Sequence, residues 1–398
     1  MKTKLNRDSN TTPKSKNSRL KRGLIIASSI LSTLIVAVLI VVLFVPLPFS
    51  RQCYDLMGSP DNLKVPSIFS SIEKGALKWQ SKLKTVEMPN SLTEIGESAF
   101  GFCIMLESID IPSSVKEIGS SAFWYCRDLK SVDLSCSITT INKSTFYYCD
   151  KLESINIPNT VTTIGERAFY WCDRLSSITI PNSLTSIGEK AFYNCNSLTS
   201  FNIPSTVKKI GDSAFANCNS LKSEGLHIDN DRFILEQGVL YDKSQNRALT
   251  ALKASIATSI TTPDWLTSIG TGAFTGCDNL ESFTISDAVT AIGDEAFYCC
   301  RNISSIEIPS SVKTIGEYAF SSCEGLTQVI LPDSITEIGD YAFRYCSALT
   351  TINIPNSVTS LGKGVLFNCD NLESIYISKS SPLYSHLEKE YGNKVKSI

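Results

Sequence analysis

A nine-residue pattern recurs with a 23-residue period through most of the chain, and it limits the possible folds more than any other feature. Its clearest copy runs from Ile118 to Cys126, and its glycine recurs in ten turns. These glycines are Gly96, Gly119, Gly165, Gly188, Gly211, Gly270, Gly293, Gly316, Gly339 and Gly362. Asn142 and Glu73 fill two further copies of the position, which makes twelve turns. Because Gly and Asn adopt positive φ most readily, we predict a left-handed backbone there.

Each turn also contains a short alternating segment, such as Ile109-Asp110-Ile111, which Pro112 follows. This alternation is typical of a half-buried strand, and proline ends such a strand. One unit buries little apolar surface, but stacked units place their strands side by side and their apolar side chains in continuous columns. The period therefore predicts a repeat solenoid around a parallel sheet of short strands, about 60 Å long at roughly 4.8 Å per turn.

The complete motif, I-x-x-I-G-x-x-A-F-x-x-C-x-x-L-x-x-I-x-I-P-x-S, resembles the repeats of the BspA-like leucine-rich repeat family. Residues 187–204 provide a clear example, and the resemblance covers about residues 63–378. It implies an α/β-type leucine-rich-repeat solenoid on a cell-surface protein. Members of this family are commonly adhesins that bind host matrix proteins or other cells.

An uncharged run lies between Arg22 and Arg51. It is long enough to cross a bilayer core of roughly 30 Å as a helix. The alternative is a cleaved signal peptide, but the apolar core of such a peptide is usually only about 7 to 15 residues long. We therefore predict a transmembrane signal-anchor helix over residues 23–49.

Eight of the 37 basic residues precede this span, against one acidic residue. The positive-inside rule then makes residues 1–22 a basic, disordered cytoplasmic tail. The expected protein is a single-pass plasma-membrane protein with its amino terminus in the cytoplasm and its repeat domain outside the cell.

The remaining segments complete the predicted organisation. Residues 50–62 are expected to form a short stalk, residues 63–378 the solenoid, and residues 379–398 a carboxy-terminal cap. The solenoid is interrupted around residues 222–260, because the turn glycine that follows Gly211 is Gly270, well over one period later. Two short apolar segments around a polar turn predict a hairpin that projects from the stack. It is either a tolerated long turn or a binding protrusion.

Eleven of the fourteen cysteines share one position of the repeat. They are Cys103, Cys126, Cys149, Cys172, Cys195, Cys218, Cys277, Cys300, Cys323, Cys346 and Cys369. A buried free cysteine behaves as a small apolar residue, so we interpret this column as packing rather than as a metal site or a set of disulfides. Cys53 lies in the expected stalk, where a free thiol outside the cell could link two chains.

No cofactor loop or nucleophile–base pair is evident, and the chain has only two histidines. We therefore expect neither an enzyme nor a bound metal or cofactor. Without the first 50 residues, the chain holds 29 basic and 38 acidic residues, a net charge of −9. A body of that sign does not attract phosphate backbones, which argues against a nucleic-acid partner.

Aromatic residues fill the two positions between the repeat's Phe and Cys in the amino-terminal half. They are Trp124, Tyr125, Tyr147, Tyr148, Tyr170, Trp171 and Tyr193. Later turns hold small residues there, such as Ala216 and Ser321. Exposed rings at these positions would form a binding edge, since aromatic residues anchor many interfaces. The alternative is that each ring only covers the neighbouring turn.

Two sequons, at Asn142 and Asn302, are candidate glycosylation sites if the source is a eukaryote. The function expected from all these features is adhesion or recognition at the cell surface through an extracellular protein or glycan ligand. The alternative is a passive structural or coat ectodomain without a specific ligand.

Overall fold

The computed structural model describes residues 47–398. The predicted cytoplasmic tail and residues 23–46 of the predicted transmembrane helix lie outside the described residues. In the described part, no helix combines the length and the apolar character that crossing a membrane requires.

The described chain winds into a solenoid with a 23-residue period and about 15 turns, rather than the twelve predicted. One side of the solenoid is a ladder of short parallel strands, here called ladder 1. Its strands are Asn62–Lys64, Thr85–Glu87, Ser108–Asp110, Ser131–Asp133, Ser154–Asn156, Ser177–Thr179, Phe201–Ile203, Leu226–Ile228, Ser259–Thr261, Ser282–Thr284, Ser305–Glu307, Gln328–Ile330, Thr351–Asn353, Ser374–Ile377 and Val395–Ser397. These strands form six separate hydrogen-bonded sheets, within which equivalent residues of neighbouring turns pair directly, as Ser108 does with Ser131.

A second ladder, here called ladder 2, forms another side of each turn and was not predicted. Its strands are Leu47–Phe49, Phe69–Ile72, Glu94–Ile95, Glu117–Ile118, Thr140–Ile141, Thr163–Ile164, Ser186–Ile187, Lys209–Ile210, Arg247–Ala251, Ser268–Ile269, Ala291–Ile292, Thr314–Ile315, Glu337–Ile338 and Ser360–Leu361. Most are only two residues long, which is too short to show an alternating pattern in the sequence.

The third side is a stack of turns that also bond to one another. The Phe100 N–H donates to the Ala122 carbonyl at 2.8 Å, and the Phe123 N–H donates to the Thr145 carbonyl at 2.9 Å. Behind these bonds the repeat phenylalanines stack face to face, with ring centroids 5.2 Å apart for Phe100 and Phe123. The turns are thus hydrogen-bonded to their neighbours on all three sides around an apolar interior.

The turn glycines do not have positive φ, so that prediction is wrong. They are needed because consecutive turns approach too closely for a Cβ atom. A Cβ built on Gly165 would lie 2.8 Å from the Lys143 nitrogen, and one on Gly96 would lie 2.6 Å from the Lys74 nitrogen. At Asn142 the side-chain Nδ2 donates to the Ile118 carbonyl at 2.7 Å.

The cysteine column lies in the interior, where its thiols contact the turn before them. The Cys126 Sγ donates to the Phe100 carbonyl at 3.1 Å, and the Cys149 Sγ donates to the Phe123 carbonyl at 3.2 Å. All fourteen cysteines are free thiols. Burial raises the pKa of Cys103 to about 12, so this thiol stays protonated at neutral pH. The column therefore packs the core and bonds one turn to the next.

Residues 47–62 close the amino-terminal end of the solenoid, so the predictions of a helix reaching residue 49 and of a stalk at 50–62 are wrong. Leu47–Phe49 pairs in parallel with Phe69–Ile72, and helix α1, Arg51–Leu56, follows it. Phe49 and Tyr54 are buried, and the Tyr54 hydroxyl donates to the Pro60 carbonyl at 2.9 Å. These contacts hold the segment against the first turn.

The carboxy-terminal end carries helix α2, Tyr384–Tyr391, which buries Leu387. After it, a short 3-10 helix, Gly392–Lys394, leads into strand Val395–Ser397. This strand pairs in parallel with Ser374–Ile377. Residues 379–398 thus pack on the last repeat and extend ladder 1 by one strand.

The insertion contains a 3-10 turn, Ser223–Gly225, and three antiparallel strands, Phe233–Glu236, Val239–Asp242 and Arg247–Ala251. The last of these also pairs in parallel with Ser268–Ile269 in ladder 2. The prediction of a projecting hairpin is wrong, because the second and third strands are almost entirely buried. They form one layer of the stack, here called the hairpin layer.

The hairpin layer separates two apolar cores. Leu240 and Leu249 pack with the amino-terminal core, whereas Val239, Tyr241 and Ala248 pack with the carboxy-terminal core. A strand that contacts apolar neighbours on both faces explains why Val239, Leu240 and Tyr241 follow one another without a polar residue between them.

Candidate binding surface

Five aromatic side chains stack in a column on the amino-terminal half of the third side. This column, here called the aromatic ladder, consists of Trp79, Phe102, Tyr125, Tyr148 and Trp171. Successive ring centroids lie 3.8, 4.6, 4.7 and 5.2 Å apart. Its two ends are the most open, with Trp79 58% exposed and Trp171 36% exposed.

The backbone explains why the rings line up. Every member of the aromatic ladder has a left-handed conformation, with φ between 58° and 68°. The same conformation in each turn gives every side chain the same direction, so rings one turn apart overlap. Most later turns carry a small or polar residue at this position, at similar φ: Asn194, Asn217, Gly276, Cys299, Ser322 and Asn368. Gly and Asn adopt the left-handed region at low cost, whereas an aromatic residue pays roughly 1–2 kcal/mol there.

The repeat position that directly precedes the position of the aromatic ladder holds a second, shorter column of rings. Tyr147 and Tyr170 stack with centroids 4.9 Å apart, and Tyr170 and Tyr193 repeat that distance. Tyr193 is buried, and its hydroxyl accepts a hydrogen bond from the Asn217 side chain at 3.0 Å.

Trp124 is different from the other candidate residues because it fills space inside the surface. A Cβ atom on Gly101 would collide with the Trp124 indole. The buried Nε1 of Trp124 has no hydrogen-bond partner among residues 47–398. The Lys78 ammonium lies 5.3 Å from its ring centroid. Trp124 therefore packs over the preceding turn while remaining partly exposed.

The structure thus divides the seven candidate residues into three groups. Tyr125, Tyr148 and Trp171 belong to the aromatic ladder, three tyrosines belong to the second column, and Trp124 is a packing residue. Trp79 and Phe102 were not among the predicted residues. Phe102 directly precedes Cys103, so an alignment of the repeats could have identified it. Trp79 was harder to identify, because the first turn has Gln80 in place of the cysteine.

A groove of about 430 Å³ lies beside the second column. Here it is called the tyrosine groove, and it is lined by Tyr147, Arg167, Tyr170, Lys190, Tyr193, Glu295, Tyr298 and Tyr318. It joins residues more than one hundred positions apart, because the Lys190 Nζ lies 2.7 Å from the Glu295 Oε2. The Ser213 hydroxyl also donates to the Thr271 carbonyl at 2.7 Å across the hairpin layer. The insertion therefore brings the two halves of the solenoid together on this side.

The phenol groups of Tyr147, Tyr148 and Tyr193 remain protonated at neutral pH. Burial raises the pKa of Tyr148 to about 12, and it also raises the pKa of Tyr147 and Tyr193. The two cations in the groove already have partners, since Lys190 pairs with Glu295 and Arg167 lies 3.2 Å from Glu166. The surface thus offers neutral hydroxyl groups and aromatic carbon rather than a net charge.

The stacking limits what the rings can contact. Inside the aromatic ladder the faces cover one another, so Phe102, Tyr125 and Tyr148 present mainly their edges. At the carboxy-terminal end, the next turn holds Asn194 instead of a ring, which leaves one face of Trp171 without an aromatic neighbour in the described chain. Aromatic edges and a free indole face suit apolar side chains, other rings or the C–H face of a sugar.

The other candidate residues lie away from this surface. The Asn142 amide is bound to Ile118, and the exposed Asn302 donates its Nδ2 to the Asp278 carbonyl at 2.7 Å. Cys53 lies in helix α1, half-buried against the amino-terminal core. Within residues 47–398, no group of three or more His, Cys, Asp or Glu side chains is arranged to hold a metal ion.

Comparison with known proteins identifies the repeat. The sequence matches the family model described as BspA type leucine rich repeat region, in six copies, over residues 49–172, 139–233 and 250–373. A leucine rich cell surface protein from Faecalibacterium prausnitzii A2-165 is 31% identical, with 79% of this chain and 87% of that chain covered and a TM-score of 0.71. This likeness shows the same fold over most of both chains.

Two further solved structures are also similar. A leucine-rich repeat protein from Bacteroides ovatus is 27% identical, covering 85% of this chain and 84% of that chain, with a TM-score of 0.45. One from Eubacterium ventriosum is 21% identical, covering 77% and 88%, with a TM-score of 0.47. No curated protein matches the sequence.

Proposed function

The chain belongs to the BspA-type leucine-rich repeat family, and on that premise we propose that it is a membrane-anchored recognition protein of the cell surface. Its repeat domain lies outside the cell and binds a protein or a glycan through the aromatic ladder and the adjoining tyrosine groove. The uncharged run after the basic amino-terminal residues supports the anchor and its orientation. A similar protein from F. prausnitzii is described as a cell surface protein, which supports the location.

The use of aromatic residues at left-handed positions carries the binding proposal. Five consecutive turns place a ring where most other turns place a small or polar residue, so the backbone itself does not favour these residues. Ring stacking offsets part of that cost, since an aromatic pair contributes about 0.5–1.5 kcal/mol. Aromatic residues at a partly exposed surface are also the usual anchors of recognition. A ligand that covers the aromatic ladder would explain why this stack of rings is confined to one half of the molecule.

The residues of the later turns supply a test that preserves the backbone. A soluble fragment, residues 47–398, is assayed for binding to cells, matrix proteins and a glycan array. The triple variant Tyr125→Asn, Tyr148→Asn and Trp171→Asn places in the aromatic ladder a residue that the solenoid uses elsewhere. Because aromatic anchors often contribute about 2 kcal/mol or more, we expect affinity to fall at least about tenfold.

Tyr345→Asn is the matched control, since Tyr345 has the same repeat position, a φ of 58° and a partly exposed ring in the other half. We expect this variant to bind as the wild-type fragment does. Binding that survives the triple substitution would exclude the aromatic ladder as the binding site.

The alternative function is a passive surface or coat protein, and it predicts a different pattern. In that case the aromatic ladder only stabilises the stack, so the triple variant lowers the melting temperature while no ligand is found in any assay. The location is tested separately by treating intact cells with protease. Survival of the repeat domain would contradict its placement outside the cell.

A further inference from the structure

The amino-terminal end of the solenoid is closely tethered to the predicted membrane anchor. The uncharged run is strongly apolar up to Val45, and Phe49 is already buried in ladder 2. Four residues of extended chain span at most about 14 Å. The headgroup region on one side of a bilayer is itself roughly 5–8 Å thick. If the anchor spans the membrane, helix α1 and the first turn must lie at its surface.

Three large apolar side chains are exposed at this end. Helix α1 buries Tyr54 on its inner side, whereas Leu56 is 87% exposed and Met57 is 42% exposed. Ile68, in the loop before the second strand of ladder 2, is 52% exposed. Met57 also lines a shallow groove of about 710 Å³ together with Pro66 and other residues. Isolated exposed apolar residues are common, but three of them this close to the predicted anchor suit insertion between lipid headgroups.

The charge of this end differs in sign from the rest of the repeat domain. Residues 47–84 hold six basic and three acidic residues, a net charge of +3. Residues 85–398 hold 23 basic and 35 acidic residues, a net charge of −12. Four of the six basic side chains of the first segment are paired with carboxylates: Arg51 with Asp55, Lys64 with Glu87, Lys74 with Glu97 and Lys84 with Asp61. Lys78 and Lys82 form no ion pair within residues 47–398. Basic residues close to a bilayer are attracted to anionic lipids, and acidic residues are repelled.

We infer that the amino-terminal end of the solenoid docks on the bilayer that holds the anchor, with Leu56, Met57 and Ile68 among the headgroups and the ammonium groups of Lys78 and Lys82 against anionic lipid. This inference rests on the proposed membrane anchor. Docking fixes the end of the solenoid at the surface while the acidic remainder extends away from it. The aromatic ladder then begins near the membrane at Trp79 and rises toward Trp171.

Fluorescence quenching in the full-length chain tests the docking. The protein is reconstituted into vesicles of phosphatidylcholine mixed with the anionic lipid phosphatidylglycerol. A Cys53→Ser and Cys299→Ser background removes the two half-buried thiols. A small thiol-reactive fluorophore is attached at Leu56→Cys, and the matched control is Ile398→Cys, which is exposed at the opposite end of the solenoid. Lipids that carry a spin label just below the headgroups serve as quenchers.

We expect the fluorophore at residue 56 to be quenched at least about twofold and the one at residue 398 to be unaffected. Vesicles of phosphatidylcholine alone should weaken the quenching at residue 56, because the electrostatic attraction is lost. Equal quenching at the two positions would overturn the docking inference.

Flotation of the same vesicles after an alkaline wash separates this inference from the proposed anchor. A chain that floats with the vesicles but shows no quenching at residue 56 has an anchor and no docking. A chain that fails to float overturns both proposals. A chain that floats and is quenched equally strongly in neutral and anionic vesicles contradicts the electrostatic part, because the apolar contacts then suffice.

Discussion

At the scale of single residues, the turn glycines show that one residue type can satisfy two different constraints. A glycine that recurs once per turn is expected both where φ is positive and where two backbones approach closely. The structure separates the two constraints. The close approach lies at the glycine, while left-handed φ lies at the residue two positions later and at the residue before the cysteine. Non-glycine residues such as Ser121 and Tyr125 accept that conformation.

Two substitutions in one turn test this assignment. Gly165→Ala should lower the free energy of unfolding by about 1–3 kcal/mol, because the new Cβ forces adjacent turns apart. Arg167→Gly should leave it within about 1 kcal/mol of wild type, because relief of left-handed strain offsets the added flexibility of the unfolded chain. Urea unfolding of both variants provides the measurement. A tolerated alanine together with a strongly destabilising Arg167→Gly would contradict the close-approach explanation.

The buried cysteine column predicts a stability that falls at alkaline pH. Burial raises the pKa of Cys103 and of Cys218 to about 12, whereas an unfolded thiol titrates near about 8.5. Between these values the folded state binds more protons than the unfolded state, so stability decreases as pH rises. It should be fully present below about pH 8.5 and decline toward pH 12.

Thermal or urea unfolding between pH 7 and 11 measures this decline. Replacing Cys103 and Cys218 by Ala should make the curve less steep above about pH 9, although both changes lower stability at pH 7. An unchanged slope in the double variant would show that other groups cause the alkaline loss.

At the scale of secondary-structure elements, the sequence identified the strands that alternate clearly and missed the others. Ser108–Asp110 and its equivalents are short segments whose burial alternates as predicted. Ladder 2 was missed because a two-residue strand such as Glu117–Ile118 has no visible period. Ladder 2 is stabilised by the same stacking of turns that forms ladder 1. This stacking depends on contacts between residues far apart in the sequence, so a local pattern does not predict it.

The sequence of the hairpin layer already indicates a buried strand rather than a projecting hairpin. The strand Arg247–Ala251 is buried at nearly every position, and its sequence is mostly apolar, as is typical of a strand covered on both faces. A projecting hairpin would instead alternate between apolar and polar residues. Asp212 connects this layer to the turn that follows it, because it bonds the Arg247 guanidinium and accepts from the Thr271 N–H at 3.1 Å.

Arg247→Met should therefore weaken the joint between the two cores. The Asp212 carboxylate, which is mostly buried, loses its charged partner, so we expect a loss of about 1–3 kcal/mol in the free energy of unfolding. Hydrogen exchange should rise chiefly in residues 211–214 and 268–273. Lys243→Met is the matched control, since Lys243 is an exposed cation at the tip of the same hairpin. Equal effects of both substitutions would mean that the ion pair does not stabilise the joint.

At the scale of the whole molecule, the period alone predicted a solenoid, and the family match confirms that fold. What the period could not predict are the two ends and the interruption. A repeat shows how each turn packs on the next, but an end must cover an apolar face with residues that no longer follow the repeat. Residues 50–62 have no periodic pattern, which favours a stalk, but in the structure Tyr54 is buried against the first turn.

A truncation that removes this end distinguishes a cap from a stalk. A fragment of residues 58–398 lacks Phe49 and Tyr54, both of which are fully buried, and exposes the apolar face of the first turn. Since deletion of one large buried aromatic side chain typically costs about 3–5 kcal/mol, this fragment should unfold at a clearly lower temperature than residues 47–398. Its open strand edges should also promote association between chains.

Calorimetry and light scattering coupled to gel filtration measure the two effects. A matched deletion at the other end, residues 47–391, removes the strand Val395–Ser397 but keeps helix α2 over the last turn. We expect that deletion to have a smaller effect than the loss of residues 47–57. A monomeric fragment 58–398 with an unchanged melting temperature would mean that the first turn needs no cap. In that case the exposed Leu56 and Met57 would lie on a separable stalk, and the docking of a rigid end on the bilayer would lose its structural basis.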